Sequence, residues 1–128
     1  GIDAAQLDRF APLQVDYLPA EEEIKLLQNR HPELGRKIVK LVVDIANQLR
    51  QSTELSSGLS VRATDEACIY LKHPLIAAER SSMLPEILKS SFCGRFNGRW
   101  NDVSSDAGIV WSVIERVLRE NKKAAEDD

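Results

Sequence analysis

Residues 58–63, GLSVRA, are the first candidates for a binding or catalytic site. Ser60 is a good helix N-cap, because its hydroxyl can accept a hydrogen bond from one of the first unpaired backbone N–H groups. Arg62 would then lie in the first turn, where the helix dipole disfavours a cation by about 0.3–1 kcal/mol. A guanidinium and a helix N-terminus both attract anions. The spacing therefore gives two hypotheses for Arg62, a phosphate site or a solvated arginine whose charge is screened.

Cysteine and histidine offer further candidates for nucleophilic or metal chemistry. Cys68, His73 and Cys93 could be drawn as metal ligands, but their spacing matches no usual zinc pattern. Cys68 lies on the apolar face of the predicted helix, which favours a buried thiol over a nucleophile. His31 precedes Pro32 at a helix break, and an exposed capping residue is expected there. The sequence has no phosphate loop, HExxH, CxxC pair or GxSxG, so this chain alone has no ordinary nucleotide-binding cradle.

A basic and aromatic segment, residues 95–100 with the sequence RFNGRW, could bind nucleic acid by stacking on bases. The other interpretation is a turn that Phe96 and Trp100 anchor to the hydrophobic core. We favour the turn, because such segments are more often structural. The alternative function is a stand-alone helical interaction or nucleic-acid-binding module, with Arg95 and Arg99 as its contact residues.

The composition is that of one globular domain. The chain has 128 residues, 43% of them hydrophobic and 29% charged. A chain of this length can form a hydrophobic core without disulfide bonds or structural metals. No apolar run approaches the length of a membrane span, and the N-terminus lacks the basic and apolar regions of a signal peptide. The net charge of −3, with both signs mixed, gives no bulk attraction to nucleic acid or anionic lipid. Two cysteines are too few for a disulfide framework, so we expect reduced thiols and a cytoplasmic protein.

The N-terminal residues differ in pattern from the rest of the chain. Leu13, Val15 and Tyr17 alternate with polar residues, which is typical of a short strand over 13–18. A lone strand needs a partner for its backbone groups. We therefore expect residues 1–18 to be the end of a larger domain and residues 19–128 to form a helical domain.

Helix start and stop signals divide the helical part into segments. The expected helices run over about 19–30, 33–52, 60–73 and 85–93, with a last helix that Ser104 or Ser105 caps. Residues 75–80 are expected to form a separate turn or the start of another helix.

Apolar stripes predict the buried face of each helix. In the first helix these are Ile24 and Leu27. The second helix should bury Leu34, Ile38, Leu41, Val42, Ile45 and Leu49, with Val39, Val43 and Ala46 widening the face. The Arg62 helix should bury Ala63, Ala67, Ile69, Tyr70 and Leu71. The last helix should bury Ile109, Val110, Val113, Ile114, Val117 and Leu118.

Several short segments occur in an order that resembles MoxR-type AAA+ ATPases, closest to their CbbQ/NorQ branch. They are LDRF over residues 7–10, VDYLP and three glutamates over 15–23, and GLSVRA over 58–63. Each segment is short, so the resemblance rests on their order and on their separation along the chain. It extends to about Leu71. It implies an all-α lid of four or five helices, a small helical bundle, with a short N-terminal β-strand remnant of the ATPase core.

The same resemblance implies roles for two arginines. Arg9, which precedes Phe10, would be an arginine finger that acts in the site of a neighbouring subunit. Arg62 would be the sensor-2 arginine that binds nucleotide, with Ser60 beside it.

The resemblance also implies cofactors and partners. The complete protein would use ATP and Mg²⁺ to remodel or activate a partner protein. Its partners would be its own ATPase core, neighbouring subunits in a hexameric ring and a protein with a von Willebrand A domain. This chain alone is expected to be inactive and to hold no nucleotide, and neither membrane nor nucleic acid is an expected partner.

Overall fold

The computed structural model describes residues 18–55 and 59–127, and for residues 123–127 it describes the backbone alone. In these ranges six α-helices follow in order: α1 (Ala20–Arg30), α2 (Arg36–Arg50), α3 (Val61–Leu71), α4 (Pro74–Ala77), α5 (Arg80–Leu88) and α6 (Asp106–Asp127). A π-helical turn, Lys89–Cys93, continues α5. Every regular element in the described ranges is helical, which confirms the predicted all-α bundle. Apart from Leu18, the predicted strand lies outside the described residues.

Serine caps set two of the helix starts, as the sequence predicts. Ser60 Oγ accepts a hydrogen bond from the N–H of Ala63 at the start of α3, with an N···O distance of 3.3 Å. Ser105 Oγ accepts one from the N–H of Gly108 in α6, at 3.1 Å. Ser105, rather than Ser104, is therefore the N-cap of α6.

The hydrophobic core is formed where α2 packs against α1, α3 and α6. The predicted face of α2 is confirmed, although Ile38 and Leu41 are only partly buried. The last helix buries Val110, Ile114 and Val117, while the other three members of its stripe are partly buried. None of the described helices is long and apolar enough to cross a membrane.

The predicted stripe of α3 is wrong at two positions. Ala63, Ala67 and Leu71 are buried, but Ile69 and Tyr70 are 43% and 48% exposed. The buried face of α3 instead includes the polar residues Thr64 and Asp65, together with Cys68. Polar partners on neighbouring helices make that face favourable, and the helical period then places Ile69 and Tyr70 on the other side.

Pro85 does not begin a helix, in contrast to the prediction. The helix α5 begins five residues earlier, at Arg80, and Pro85 lies inside it. The N–H of Met83 and the hydroxyl of Ser82 both donate to the carbonyl of Glu79, at 2.9 Å, and these bonds set the earlier start. The helical segment ends at Cys93, before Gly94, as predicted. A Cβ atom at Gly94 would lie 2.7 Å from the carbonyl oxygen of Ser90.

Phe92, in the π-helical turn, is fully buried. Its replacement tests whether this turn belongs to the hydrophobic core. Phe92→Ala should destabilise the fold by about 3–5 kcal/mol, because it leaves a cavity that the helices around it cannot fill. Urea unfolding followed by far-UV circular dichroism measures the change. Leu75→Ala is the control, since Leu75 is 85% exposed and its removal should change the unfolding free energy by less than about 0.5 kcal/mol. Equal small losses in both variants would contradict this packing.

Candidate functional site

Arg62 is the second residue of α3, and its side chain is exposed. The residue before it, Val61, is fully buried in a small apolar cluster with Leu26 of α1, against which Leu18 packs. Its neighbours Val61 and Ala63 are buried while Arg62 is exposed, which both hypotheses for Arg62 require. The structure therefore brings Ser60 and Arg62 together at one helix N-terminus, while a role in binding phosphate stays a prediction.

A buried ion pair contacts the N-terminal part of α3. Arg50, the last residue of α2, donates from Nη1 and Nη2 to the two carboxylate oxygens of Glu23 in α1, at 2.6 and 3.0 Å. The two side chains are 3% and 0% exposed. Thr64 of α3 donates from its hydroxyl to Glu23 Oε2 at 2.7 Å. Arg50 Nε also donates to the carbonyl oxygen of Leu59, the residue before the N-cap Ser60.

A second polar cluster holds the next residue of α3. Asp65 accepts hydrogen bonds from Arg30 Nε at 2.8 Å and Arg30 Nη2 at 3.3 Å. The Nε2 atom of His31 lies 2.6 Å from Asp65 Oδ1. Burial alone would raise the pKa of Asp65, but the hydrogen bonds from His31 and Arg30 outweigh burial and lower it. The carboxylate is therefore the form that the folded protein favours.

These two clusters hold α3 against α1 at the consecutive residues Thr64 and Asp65. Thr64 binds the first turn of α1 through Glu23, and Asp65 binds the C-terminal end of α1 through Arg30 and His31. Removing one partner of a buried ion pair typically costs about 3–5 kcal/mol, because the other charge stays buried without compensation. The first two turns of α3 are thus held by charge as well as by apolar packing, and Arg62 lies within them.

His31 corrects the expectation of an exposed capping residue. It does occupy the C-cap of α1, where its backbone N–H donates to the carbonyl of Leu27 at 2.8 Å. Its side chain, however, is only 2% exposed because it turns inward to Asp65. A carboxylate only accepts hydrogen bonds, so Nε2 of His31 is the donor in this contact. Nothing near His31 in the sequence could reveal this contact, since its partner lies 34 residues away.

Arg9, the other predicted site arginine, lies outside the described residues, so the structure does not place it relative to Arg62.

The predicted turn over residues 95–100 is anchored at one of its two aromatic residues. Phe96 packs against the core, whereas Trp100 is 44% exposed and meets Trp111 of α6 edge-on, with ring centroids 5.9 Å apart. The ammonium of Lys89 lies 3.7 Å from the centre of the Trp100 ring. Arg95 donates to the carboxylate of Glu66 and to the carbonyl of Ser91, so its guanidinium is engaged within the fold.

Cys68 lies on α3 with Arg62, whereas Cys93 and His73 lie outside that helix. Cys68 is fully buried, as predicted, and burial together with the charges of Asp65 and Glu23 raises its pKa to about 12. Burial raises the pKa of Cys93 to about 11. Neither thiol is thus a thiolate at neutral pH. His73 is exposed and caps α4, and no group of three possible metal-binding side chains occurs among the described residues.

No family model, no curated protein and no solved structure matches this chain.

The lowered pKa of Asp65 gives a pH dependence with a defined sign. A carboxyl whose pKa is lower in the folded state stabilises the fold above its unfolded pKa, which is 3.8 for aspartate, and that stability is lost as the pH falls further. The unfolding free energy of the wild type should therefore fall from pH 5 towards pH 2, as urea titrations at several pH values would measure. Asp65→Asn should be less stable at pH 7 and should flatten this profile.

The control for Asp65 is Asp44→Asn, which removes an exposed pair with Lys40 one turn away. It should change the unfolding free energy at pH 7 by less than about 1 kcal/mol. If Asp65→Asn keeps the stability and the acid profile of the wild type, the buried cluster contributes nothing to folding.

Proposed function

We propose that this chain is the C-terminal helical lid of a MoxR-type AAA+ ATPase, closest to the CbbQ/NorQ branch, and that Arg62 holds the γ-phosphate of ATP. One observation carries the proposal: an exposed arginine lies in the first turn of α3, and the two residues Thr64 and Asp65 fasten that turn to α1 through buried charges. An arginine that senses a phosphate must be held in a defined place at the surface of the lid. Arg62 is exposed, and the contacts of Thr64 and Asp65 hold the start of its helix in place.

The chemistry at this position suits a phosphate. The guanidinium of Arg62 can donate two parallel hydrogen bonds to phosphate oxygens. The N-terminus of α3 adds the partial positive charge of the helix dipole. Nucleotide would be bound between this lid and the ATPase core, and the Mg²⁺ ligands would come from the core. When the γ-phosphate is present the lid closes on it, and when it is lost Arg62 loses its partner.

Hydrolysis in this proposal would be coupled to remodelling or activation of a partner protein. Arg9 would stabilise transition-state charge in the site of a neighbouring subunit of a hexameric ring. A protein with a von Willebrand A domain is the proposed partner of such a ring, and the cytoplasm is the proposed compartment. The alternative, a nucleic-acid-binding module that uses Arg95 and Arg99, is less well supported, because Arg95 is bound to Glu66 and to Ser91.

The chain itself can be tested for phosphate binding at Arg62. Two charge-assisted hydrogen bonds of about 1.5–3 kcal/mol each predict a dissociation constant on the order of millimolar for tripolyphosphate. Chemical shift changes in ¹⁵N NMR spectra should centre on residues 61–63. Arg62→Gln should abolish them, whereas Arg119→Gln, which removes an exposed arginine from α6, should not. Shifts scattered over all exposed cations, or micromolar binding of ATP by this chain alone, would contradict the proposal.

The complete ATPase allows the two arginines to be separated. Arg62→Ala should weaken ATP binding, while Arg9→Ala should leave binding intact and lower turnover by roughly 10³–10⁵, the range measured for fingers in other phosphoryl-transfer enzymes. Mixing Arg9→Ala subunits with subunits disabled at their own phosphate loop should restore some hydrolysis, because an intact site then meets an intact finger. If mixed rings form and remain inactive, Arg9 does not act across the subunit boundary.

A further inference from the structure

We infer that Glu23 and Arg50 are positioning residues for Arg62, a role that rests on the proposed function of Arg62. The pair joins α1 to α2, yet its remaining hydrogen bonds go to the beginning of α3. One carboxylate oxygen of Glu23 accepts from the Thr64 hydroxyl, and Arg50 Nε donates to the carbonyl of Leu59. The two contacts lie on either side of Arg62 in the sequence, three residues before it and two residues after it.

The geometry of Arg50 suits positioning better than it suits simple stabilisation. Its guanidinium binds three different acceptors at once: Glu23, the side-chain carbonyl of Asn47 at 2.8 Å and the backbone carbonyl of Leu59. These acceptors belong to α1, to α2 and to the segment that leads into α3. A planar fork of fixed N–H directions constrains three elements relative to one another, whereas the single ammonium of a lysine could not.

The energetics of buried ion pairs also favour a positioning role for Glu23 and Arg50. Replacing a buried ion pair with well-packed apolar residues is often neutral or stabilising, so stability alone does not require Glu23 and Arg50. What apolar residues cannot supply is the directed hydrogen bonds to Thr64 and Leu59. The pair thus contributes to two separate properties. Apolar side chains can supply the same global stability, but they cannot maintain the order of the first turn of α3.

The matched control lies on the same two helices. Arg36 at the start of α2 binds both carboxylate oxygens of Glu21 in α1, at 2.9 and 3.1 Å. This pair joins α1 and α2 like the buried one, but both its side chains are exposed, at 49% and 61%. Replacing it changes the same residue types on the same helices and leaves Leu59 and Thr64 untouched.

The experiment compares the double variant Glu23→Met/Arg50→Met with Glu21→Met/Arg36→Met in the full 128-residue chain. Amide hydrogen exchange of residues 63–65 is followed by NMR and normalised to buried amides of α2. The buried double variant should unfold at the wild-type urea concentration or above, while residues 63–65 exchange at least about tenfold faster, as expected for losing the charge-assisted hydrogen bonds to Thr64 and Leu59. The exposed double variant should change neither quantity.

A second variant covers the case in which the buried double variant does not fold. Thr64→Val removes the hydroxyl that binds Glu23 and leaves the Glu23–Arg50 pair intact, and it should also speed exchange in the first turn of α3. If residues 63–65 exchange at the wild-type rate in a folded buried double variant, or in Thr64→Val when that variant alone folds, the positioning role is wrong.

Tripolyphosphate distinguishes this failure from failure of the proposed function. If the wild type binds it at Arg62, both variants should bind it at least fivefold more weakly, and equal binding would overturn the positioning role. If the wild type does not bind it, the proposed function fails, while the exchange rates still decide whether the pair orders the turn.

Discussion

The ion pair between Glu23 and Arg50 is the constraint on which the arrangement of the first three helices depends. Neither charge could remain buried alone, because an isolated charge in a protein interior costs several kcal/mol. The pair therefore requires α1 and α2 to meet at one place, and its further hydrogen bonds extend the requirement to α3. The second cluster, around Asp65, repeats this arrangement one residue later and ties α3 to the end of α1.

This constraint explains why the start of α3 can present an exposed arginine without losing order. Apolar packing holds α3 through its buried apolar residues, and apolar contacts have no preferred direction. Directed bonds at Thr64 and Asp65 add a defined orientation. The proposed function needs this combination of an exposed arginine and a fixed backbone, since binding energy is lost when a charged side chain must first be ordered. The order of the first turn of α3 and the proposed site thus depend on the same few residues.

The sequence predicted what local periodicity controls and missed what distant pairs control. The all-α class, the buried face of α2 and the serine caps all follow from spacing within single helices. The buried roles of His31, Thr64 and Asp65 could not be predicted, because each depends on a partner that folding brings from at least 34 residues away. The error at Ile69 and Tyr70 has the same origin: apolar residues were assigned to a face that polar pairs occupy. For the candidate site, Ser60 and Arg62 were predicted, but the residues that hold them were not.

The most direct test of the central claim is a structure of the complete natural protein with a non-hydrolysable ATP analogue bound. We expect the guanidinium of Arg62 to lie within about 3 Å of a γ-phosphate oxygen, a normal distance for a charge-assisted hydrogen bond. We also expect Glu23, Arg50 and Thr64 to keep their mutual contacts in that state. A structure in which Arg62 points away from the nucleotide, or a complete protein without any nucleotide-binding core, would contradict the proposed role of Arg62.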